Sequence, residues 1–267
     1  MTQSNPYVHG YDQREQDRLI AQANHWREMI VSNTPVKPGD RFLEVGCGAG
    51  AVLGVIGQAN PQATLAGIDI ESRQIDRAKL HLSTLHLTAD LRVGNAAALP
   101  WPEGSFDQAF FMWMLEHLLD HDPVLKEARR VLKPGGQIHI TETDYNFVTF
   151  PASTDFAFLM DAWRKHFIGK GDVLLARRLG PTLLRNGFRD PVVRFSGFHA
   201  FRGQPNQALA RMANYHADYI EPEIESIAAE QLISLPTLKR GVQWLRELVN
   251  QPDSSISGTV YRATATA

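Results

Sequence analysis

Residues 44–50, Glu44-Val45-Gly46-Cys47-Gly48-Ala49-Gly50, decide the fold class that this sequence predicts. Residues 41–45 predict a short buried strand that leads into the glycines, and residues 51–59 predict a helix that follows them. Glycine tolerates a positive φ and lets the backbone approach a ligand, while the free N–H groups at a helix start favour an anionic group. The stretch therefore predicts a ligand-binding loop between a strand and a helix.

The same alternation of strand and helix continues on the C-terminal side of the loop. Further strands are predicted at residues 64–69, 91–94, 106–112 and 137–143, and helices at residues 72–85 and 122–132. Strands that alternate with helices in this way form a parallel sheet that is covered on both faces. An α/β core is therefore predicted between residues 40 and 145.

Other elements flank this core on both sides. On the N-terminal side, residues 13–30 carry apolar side chains at helical spacing. On the C-terminal side, the pattern predicts helices at residues 154–167, 174–186, 204–219, 223–232 and 237–248, and strands at residues 192–198 and 259–264. The sequence contains no internal repeat and no obvious linker, so a second domain is not predicted.

Charge and composition exclude several classes of protein. Of the 267 residues 43% are hydrophobic, which suffices for a sizeable core, and Lys+Arg (27) nearly balances Asp+Glu (29). A nucleic-acid binder usually shows a basic excess, so nucleic acid is disfavoured as a partner. No apolar run reaches the length of a membrane span, and Cys47 is the only cysteine, which excludes an internal disulfide. With no secretory signal pattern, a cytoplasmic monomer or homodimer that acts on a small molecule is expected.

Asp69 follows the second predicted strand, 23 residues after Gly46. An acidic residue at this spacing accepts hydrogen bonds from ribose hydroxyls, so a ribose-containing cofactor is predicted. The glycines leave a nicotinamide and an adenosyl cofactor open, because Gly46, Gly48 and Ala51 also fit the dinucleotide pattern. Glu44 favours the adenosyl cofactor, since its carboxylate would repel a pyrophosphate. No tyrosine is followed by a lysine four residues later, as a short-chain nicotinamide enzyme would require.

Five motifs over residues 40–145 resemble those of class I S-adenosylmethionine-dependent methyltransferases. They are Glu44-x-Gly46-x-Gly48-x-Gly50, Gly67-Ile68-Asp69-Ile70, Gly94-Asn95-Ala96, Phe106-Asp107 through Leu115-Glu116-His117-Leu118, and Leu132-Lys133-Pro134-Gly135-Gly136. The resemblance implies a Rossmann-like, doubly wound, mostly parallel seven-stranded sheet with an antiparallel last strand and with N- and C-terminal helical lid insertions. The start of the chain, with Tyr7-x-His9-Gly10-Tyr11 and Glu15-Gln16-x-Arg18-Leu19, resembles small-molecule methyltransferases of secondary metabolism.

The resemblance also implies which residues bind S-adenosylmethionine, whose product is S-adenosylhomocysteine. The implied cofactor residues are Tyr11, Arg18, Glu44, Gly46, Cys47, Gly48, Gly50, Asp69, Ile70, Asn95, Ala96 and Met112. Among them, Asp69 takes the ribose hydroxyls, Ile70 packs on the adenine and Glu44 lies near the amino group of the methionine part. Many relatives carry Asp where this chain has Asn95, which leaves the polarity of the hydrogen bond to adenine open.

His117 is the predicted general base, because it follows the fourth strand at the edge of the sheet where ligands bind. The alternatives are a structural histidine in the family turn, or a metal pair with His121; with one cysteine and no H-E-x-x-H motif, no metal is predicted. Aromatic rings after the fifth strand predict a roof over the substrate, and packing within the core explains them equally well. The predicted substrate residues are Tyr145, Trp163, His166, Met212 and Tyr215.

The sequence therefore predicts an enzyme that transfers a methyl group from S-adenosylmethionine to an oxygen, nitrogen or sulfur atom of a small molecule. A nicotinamide-dependent oxidoreductase, or a regulatory protein that binds the cofactor without turnover, are the alternatives. A single methyltransferase domain spanning 1–267 is expected. Its parts are an N-terminal helical lid (1–37), a cofactor-binding core (40–145) and a helical substrate cover (146–170 and 204–250).

Overall fold

A seven-stranded mixed sheet forms the centre of the protein in a computed structural model that describes residues 12–32 and 34–267. Its strands are β1 (Arg41–Val45), β2 (Thr64–Asp69), β3 (Ala89–Val93), β4 (Phe106–Met112), β5 (Leu132–Phe150), β6 (Arg189–Phe201) and β7 (Ser255–Thr266). They lie in the order β3-β2-β1-β4-β5-β7-β6. Neighbours among β1 to β5 are parallel, whereas β7 is antiparallel to β5 and β6. The predicted Rossmann-like fold with an antiparallel last strand is confirmed.

Helices cover both faces of this sheet. They are α1 (Gln13–His25), α2 (Arg27–Ser32), α3 (Ala51–Ala59), α4 (Ser72–Thr84), α5 (Asp122–Val131), α6 (Thr154–His166), α7 (Leu179–Arg185), α8 (Ala208–Ile220), α9 (Ile224–Ala229) and α10 (Leu235–Glu247). Apolar side chains of α1 to α4 pack with Phe42 and Phe110 on one face of the sheet. Those of α5 and α7 pack with Leu43 and Phe111 on the other face. Within the described residues, the structure contains no helix with the length and apolar character that crossing a membrane requires.

Four helices, α6 and α8 to α10, share a separate apolar cluster, and we call them the cover. Their buried side chains include Trp163, Leu209 and Leu245, and they pack on Tyr145 and Phe147 of β5. Because β5 continues past the carboxyl ends of its parallel neighbours, it carries the cover to the edge of the sheet where ligands bind in such folds.

The fifth strand is much longer than predicted. The sequence predicts its end at residue 143, whereas β5 continues to Phe150 and the pairing with β7 continues with it. A bulge between Asp144 and Val148 interrupts the register. The partner strand lies more than 100 residues away in the sequence, so a local pattern carries no sign of this pairing.

Two predicted helices are each divided in the structure. The N-terminal segment consists of α1 and α2, with Trp26 between them. The sequence predicts one helix here because periodicity records only the apolar face, and that face continues through the break. The segment predicted as residues 174–186 is a short 3₁₀ turn (Leu175–Arg178) followed by α7. Pro181 lies in the first turn of α7, and it lacks the N–H that would donate to residue 177 in a continuous helix.

Candidate functional site

The glycine loop turns sharply between β1 and α3. Gly46, Gly48 and Gly50 all have positive φ, at 74°, 47° and 72°. The N–H groups of Gly46 and Cys47 both donate to the carbonyl of Ile68, at 2.9 Å each. These bonds hold the loop against the end of β2, so that the loop and Asp69 lie side by side.

Asp69 joins the loop to the start of α4. Its carboxylate accepts hydrogen bonds from the N–H of Gly48 at 2.9 Å and from the N–H of Glu71 at 3.0 Å. Burial raises the pKa of this carboxyl above its usual value. Each carboxylate oxygen can accept a second hydrogen bond, so Asp69 keeps acceptor sites for hydroxyl groups of a ligand.

Glu44 is a buried carboxyl at the end of β1. Its Oε2 accepts a hydrogen bond from the N–H of Leu53 at 3.1 Å, and burial raises its pKa well above the usual value. Across residues 12–32 and 34–267, no Lys, Arg or His nitrogen lies within 4.0 Å of this carboxyl. A buried carboxylate without a cationic partner is costly, so a positively charged ligand group would be stabilised beside Glu44.

One cavity of about 900 Å³ extends from the glycine loop to the cover. Predicted cofactor residues that line it are Arg18, Glu44, Gly46, Cys47, Gly48, Asp69, Ile70, Asn95, Ala96 and Met112. The structure thus brings together residues from α1, four parallel strands and their loops. Tyr11, which was also predicted here, lies outside the described residues.

Gly50 was predicted to contact the cofactor, but the structure places it against α4. A Cβ on Gly50 would lie 2.9 Å from the Cβ of Ala78, closer than ordinary van der Waals contact allows. The third glycine of the loop therefore serves the packing of α3 on α4. The sequence pattern could not separate this role from ligand contact, because both require glycine at the same position.

We expect Gly50→Ala to lower the free energy of unfolding by about 1–3 kcal/mol, because the added methyl group overlaps Ala78. Urea denaturation measures this loss. Gly104→Ala is the matched control, since Gly104 also has a positive φ, +66°, and no atom lies within 4 Å of its added Cβ. Equal losses in the two variants would show that backbone strain alone explains the effect, and would contradict the packing role.

The far end of the cavity is aromatic. We call it the aromatic section; it is formed by Trp26, Trp113, Tyr145, Phe147, Phe198, Tyr215, His216 and Tyr219. Two of the predicted substrate residues, Tyr145 and Tyr215, are among them. The rings come from the junction of α1 and α2, from β5, β6 and α8, and from the loop after β4, so elements distant in sequence meet at this wall.

The other three predicted substrate residues lie in the cover. Trp163 is fully buried, with its ring centroid 4.4 Å from that of Phe167 and 4.5 Å from that of Tyr145. Met212 belongs to the same apolar cluster. The Nδ1 of His166 lies 2.9 Å from the carboxylate of Glu230, in an ion-pair geometry. Helical periodicity identifies buried positions, but it does not tell a cavity wall from a packed interior.

His117 lines the cavity, as predicted, in the 3₁₀ turn Leu115–His117 after β4. Its Nε2 is 3.8 Å from Oε1 of Glu116, which is too long for a hydrogen bond. His121 lies beside a different carboxylate, with its Nε2 4.0 Å from Asp172. Among the described residues, no group of three His, Cys, Asp or Glu side chains could hold a metal ion.

Glu116 and Tyr219 are cavity residues for which the sequence predicted no role. The hydroxyl of Tyr145 donates to Oε1 of Glu116 at 2.5 Å and lies 3.1 Å from the hydroxyl of Tyr219. Burial raises the pKa of Glu116 to about 7. For Glu116 the available signal was an acidic residue beside His117 in the turn after the fourth strand. No local signal marks Tyr219, because its hydrogen bond with Tyr145 joins residues that are 74 positions apart.

Comparison with known proteins identifies methyltransferases as relatives of this chain. Residues 43–140 match a family described as a methyltransferase domain. The chain is 30% identical over 204 residues to the demethylmenaquinone methyltransferase of Lactobacillus johnsonii, covering 68% of this chain and 82% of that protein. It is also 30% identical to the 27-O-demethylrifamycin SV methyltransferase of Amycolatopsis mediterranei, covering 62% of this chain and 59% of that protein.

A solved structure shares the fold. It is the structure of the [4+2]-cyclase SpnF, with a TM-score of 0.58 and 20% sequence identity, covering 91% of this chain and 81% of that one. This chain spans 50%, 82% and 59% of the lengths of three curated relatives that it matches. Because its relatives are methyltransferases, the alternative interpretation as a nicotinamide-dependent oxidoreductase, which the glycine pattern left open, is excluded. From the sequence identity and coverage above, the chain belongs to the methyltransferase-domain family.

Proposed function

We propose that the protein transfers a methyl group from S-adenosylmethionine to a small-molecule acceptor. The observation that carries this proposal is a single cavity that joins the glycine loop and Asp69 to the aromatic section. A volume of about 900 Å³ lies within the range of small-molecule sites. Donor and acceptor could therefore be held side by side, with water largely excluded from the space between them.

The residues around the glycine loop fit S-adenosylmethionine. The carboxylate of Glu44, which has no cationic partner among the described residues, would hold the ammonium group of the methionine part. Asp69 would accept the ribose hydroxyls, the backbone at Gly46 and Gly48 would lie along the ligand, and the exposed side chain of Ile70 would pack on the adenine. S-adenosylmethionine supplies a methyl group on a positively charged sulfur, which is already a good leaving group.

Asn95 gives the adenine contact a definite polarity in this proposal. Its side-chain oxygen accepts a hydrogen bond from the N–H of Ala97 at 2.8 Å. The NH₂ group of Asn95 is then the part of the side chain left for the ligand. We propose that Asn95 donates to a ring nitrogen of adenine, where an aspartate would instead accept a hydrogen bond.

The added segments would close the two ends of the cavity. Arg18, Leu19 and Gln22 of α1, and Trp26 just after it, line the cavity, which supports a lid role for the N-terminal part of the chain. Phe198 of β6 and Tyr219 of α8 line the acceptor end, which supports a substrate-covering role for the C-terminal part. The chain would then form one domain, with a cofactor-binding core between residues 40 and 145.

Two measurements test the proposed function. We expect calorimetric titration to show binding of S-adenosylhomocysteine, and radiolabelled S-adenosylmethionine to pass its methyl group to a component of fractionated host extract. The absence of binding heat would overturn the proposal. Binding without any labelled product would favour the alternative of a cofactor-binding protein without methyl transfer, which the likeness to a structure named as a cyclase keeps relevant.

A further inference from the structure

We propose, building on the methyl-transfer function above, that the acceptor is an aryl hydroxyl and that its proton passes through Tyr219 and Tyr145 to Glu116. All three side chains line the same cavity. The two tyrosine hydroxyls are 3.1 Å apart, and that of Tyr145 donates to Oε1 of Glu116 at 2.5 Å. A continuous hydrogen-bonded path therefore leads from the aromatic section to a buried carboxyl.

A second buried carboxyl, Glu142, holds Glu116 in a state that can accept a proton. Oε1 of Glu142 accepts a hydrogen bond from the N–H of Leu115 at 2.9 Å. Glu142 lies beside Glu116, and burial together with the charge of Glu116 raises the pKa of Glu142 well above its usual value. Two adjacent carboxyls in a buried site do not both ionise, so the pair carries one proton and one negative charge, and the hydrogen bond that Tyr145 donates stabilises that charge on Glu116.

The methyl transfer then balances in charge and protons. The acceptor oxygen forms a bond to the methyl carbon as the carbon–sulfur bond breaks, and the sulfur leaves as a neutral thioether. The acceptor proton moves to the oxygen of Tyr219, the proton of Tyr219 moves to Tyr145, and that of Tyr145 moves to Glu116. One sulfonium charge and one carboxylate charge are consumed, and the products are a methyl ether, a thioether and a neutral carboxylic acid.

An aryl hydroxyl matches the strength of this base. The pKa of Glu116 is raised to about 7 by burial. A phenol, with a pKa of about 10, is close enough for proton transfer in the transition state, whereas an alkyl hydroxyl resembles water, with a pKa of about 15.7. Glu116 is therefore suited to a phenolic acceptor rather than to an aliphatic alcohol.

The wall of the aromatic section fits a neutral, planar acceptor. Trp26, Trp113, Phe147 and Phe198 present ring surfaces that stack on or pack against another ring. Burial lowers the pKa of His216 to about 4, so this wall residue is uncharged at neutral pH. The guanidinium of Arg18 lies over the ring of Tyr219, 5.4 Å from its centroid, and so helps to fix the position of that ring.

Three other ionisable groups lie near the path. Arg18 is paired with Glu15, with its Nε 2.6 Å from Oε2. His117 lies on the same turn as Glu116, with its Nε2 3.8 Å from Oε1. Tyr215, on α8 with Tyr219, has a pKa that burial raises to about 12, so it stays protonated. Burial raises the pKa of Glu116 only to about 7, so of these two groups it is Glu116 that can exchange a proton near neutral pH.

The chemical nature of the methylated product tests the acceptor class. We would recover the labelled product from host extract and, in parallel, offer 4-methoxyphenol, 4-methoxyaniline and 4-methoxybenzyl alcohol with enzyme in excess over labelled S-adenosylmethionine. We expect the extract to yield an aryl methyl ether. We also expect the phenol to acquire the labelled methyl group before the aniline or the alcohol does. An N-, S- or C-methylated product would overturn this inference and leave the proposed methyl-transfer function standing.

The variant Glu116→Gln tests the proton path. Glutamine keeps an oxygen that accepts from Tyr145 but cannot take up a proton, so we expect kcat to fall at least about tenfold. In the unchanged protein, kcat should decrease as the pH falls through about 7, because Glu116 becomes protonated. That acid limb should disappear in Glu116→Gln, whereas His117→Asn should retain it. Glu225→Gln, the same change at a largely exposed side chain in the cover, should leave kcat unchanged.

Binding of S-adenosylhomocysteine serves as the folding control for these variants. Glu116→Gln and Tyr219→Phe should keep that affinity within about twofold, since neither side chain is assigned to the cofactor. If Glu116→Gln does not fold, Tyr219→Phe carries the test, because it removes the first hydroxyl of the path. A wild-type rate with its acid limb intact in either folded variant would overturn the inference. Failure of the unchanged protein to bind S-adenosylhomocysteine would instead overturn the proposed function.

Discussion

Replacing Trp163 with alanine is expected to lower the free energy of unfolding by about 3–5 kcal/mol. The indole is fully buried in α6 and contacts the rings of Phe167 and Tyr145, with centroids 4.4 Å and 4.5 Å away. Its Nε1 has no hydrogen-bond partner among the described residues, so the loss comes from packing. The truncation would leave a large cavity at the centre of the cover, which neighbouring side chains can fill only in part.

Urea denaturation followed by circular dichroism measures this effect. Phe158→Ala is the matched control, because Phe158 lies on the same helix and is 49% exposed. Its loss should stay within about 0.5 kcal/mol. If Trp163→Ala unfolded at the same urea concentration as the unchanged protein but methylated its acceptor poorly, Trp163 would belong to the acceptor site rather than to the packed interior.

Asp69→Ala is expected to weaken the binding of S-adenosylhomocysteine by about 1–3 kcal/mol, or about 5- to 150-fold. The substitution removes the acceptor for the ribose hydroxyls in the proposed complex. It also removes the acceptor that the N–H groups of Gly48 and Glu71 share, at 2.9 Å and 3.0 Å, so the loop loses part of its support. Both effects act in the same direction, and calorimetric titration measures their sum.

Asp107→Ala provides the control for Asp69→Ala. Asp107 lies near the start of β4, at the opposite edge of the sheet, where its carboxylate accepts from the N–H of Arg41 at 2.9 Å and from Nζ of Lys133 at 2.7 Å. Its removal costs stability without touching the cavity, so the affinity for S-adenosylhomocysteine should not change. An unchanged affinity in Asp69→Ala as well would remove Asp69 from the cofactor site.

The end of the cavity at the glycine loop could be predicted largely from the sequence, because the residues that line it lie at the ends of neighbouring parallel strands. Gly46, Asp69 and Asn95 each come directly after a parallel strand or within two residues of its end. Parallel strands bring their carboxyl ends to one edge of the sheet, so local patterns determine which side chains meet there. Gly50 is the exception, since a glycine that packs and a glycine that approaches a ligand look alike.

The aromatic section of the cavity could be predicted only in part, because it is assembled by long-range packing. Tyr219 meets Tyr145 only after β5 extends beyond residue 143 and α8 folds back on it. Trp163 and Tyr145 are both aromatic and both buried, yet one fills the interior of the cover and the other faces the cavity. The difference depends on the rotation of a helix and the length of a strand, which the local sequence does not specify.

The separate apolar cluster of the cover has a consequence for how this protein can diversify. Its side chains pack mainly on one another, while the glycine loop and Asp69 are supported by the two clusters on the faces of the sheet. Free-energy changes from substitutions at such distant sites add with little coupling. Substitutions in α6 and α8 to α10 can therefore accumulate in a descendant of this chain while the glycine loop and Asp69 keep their support.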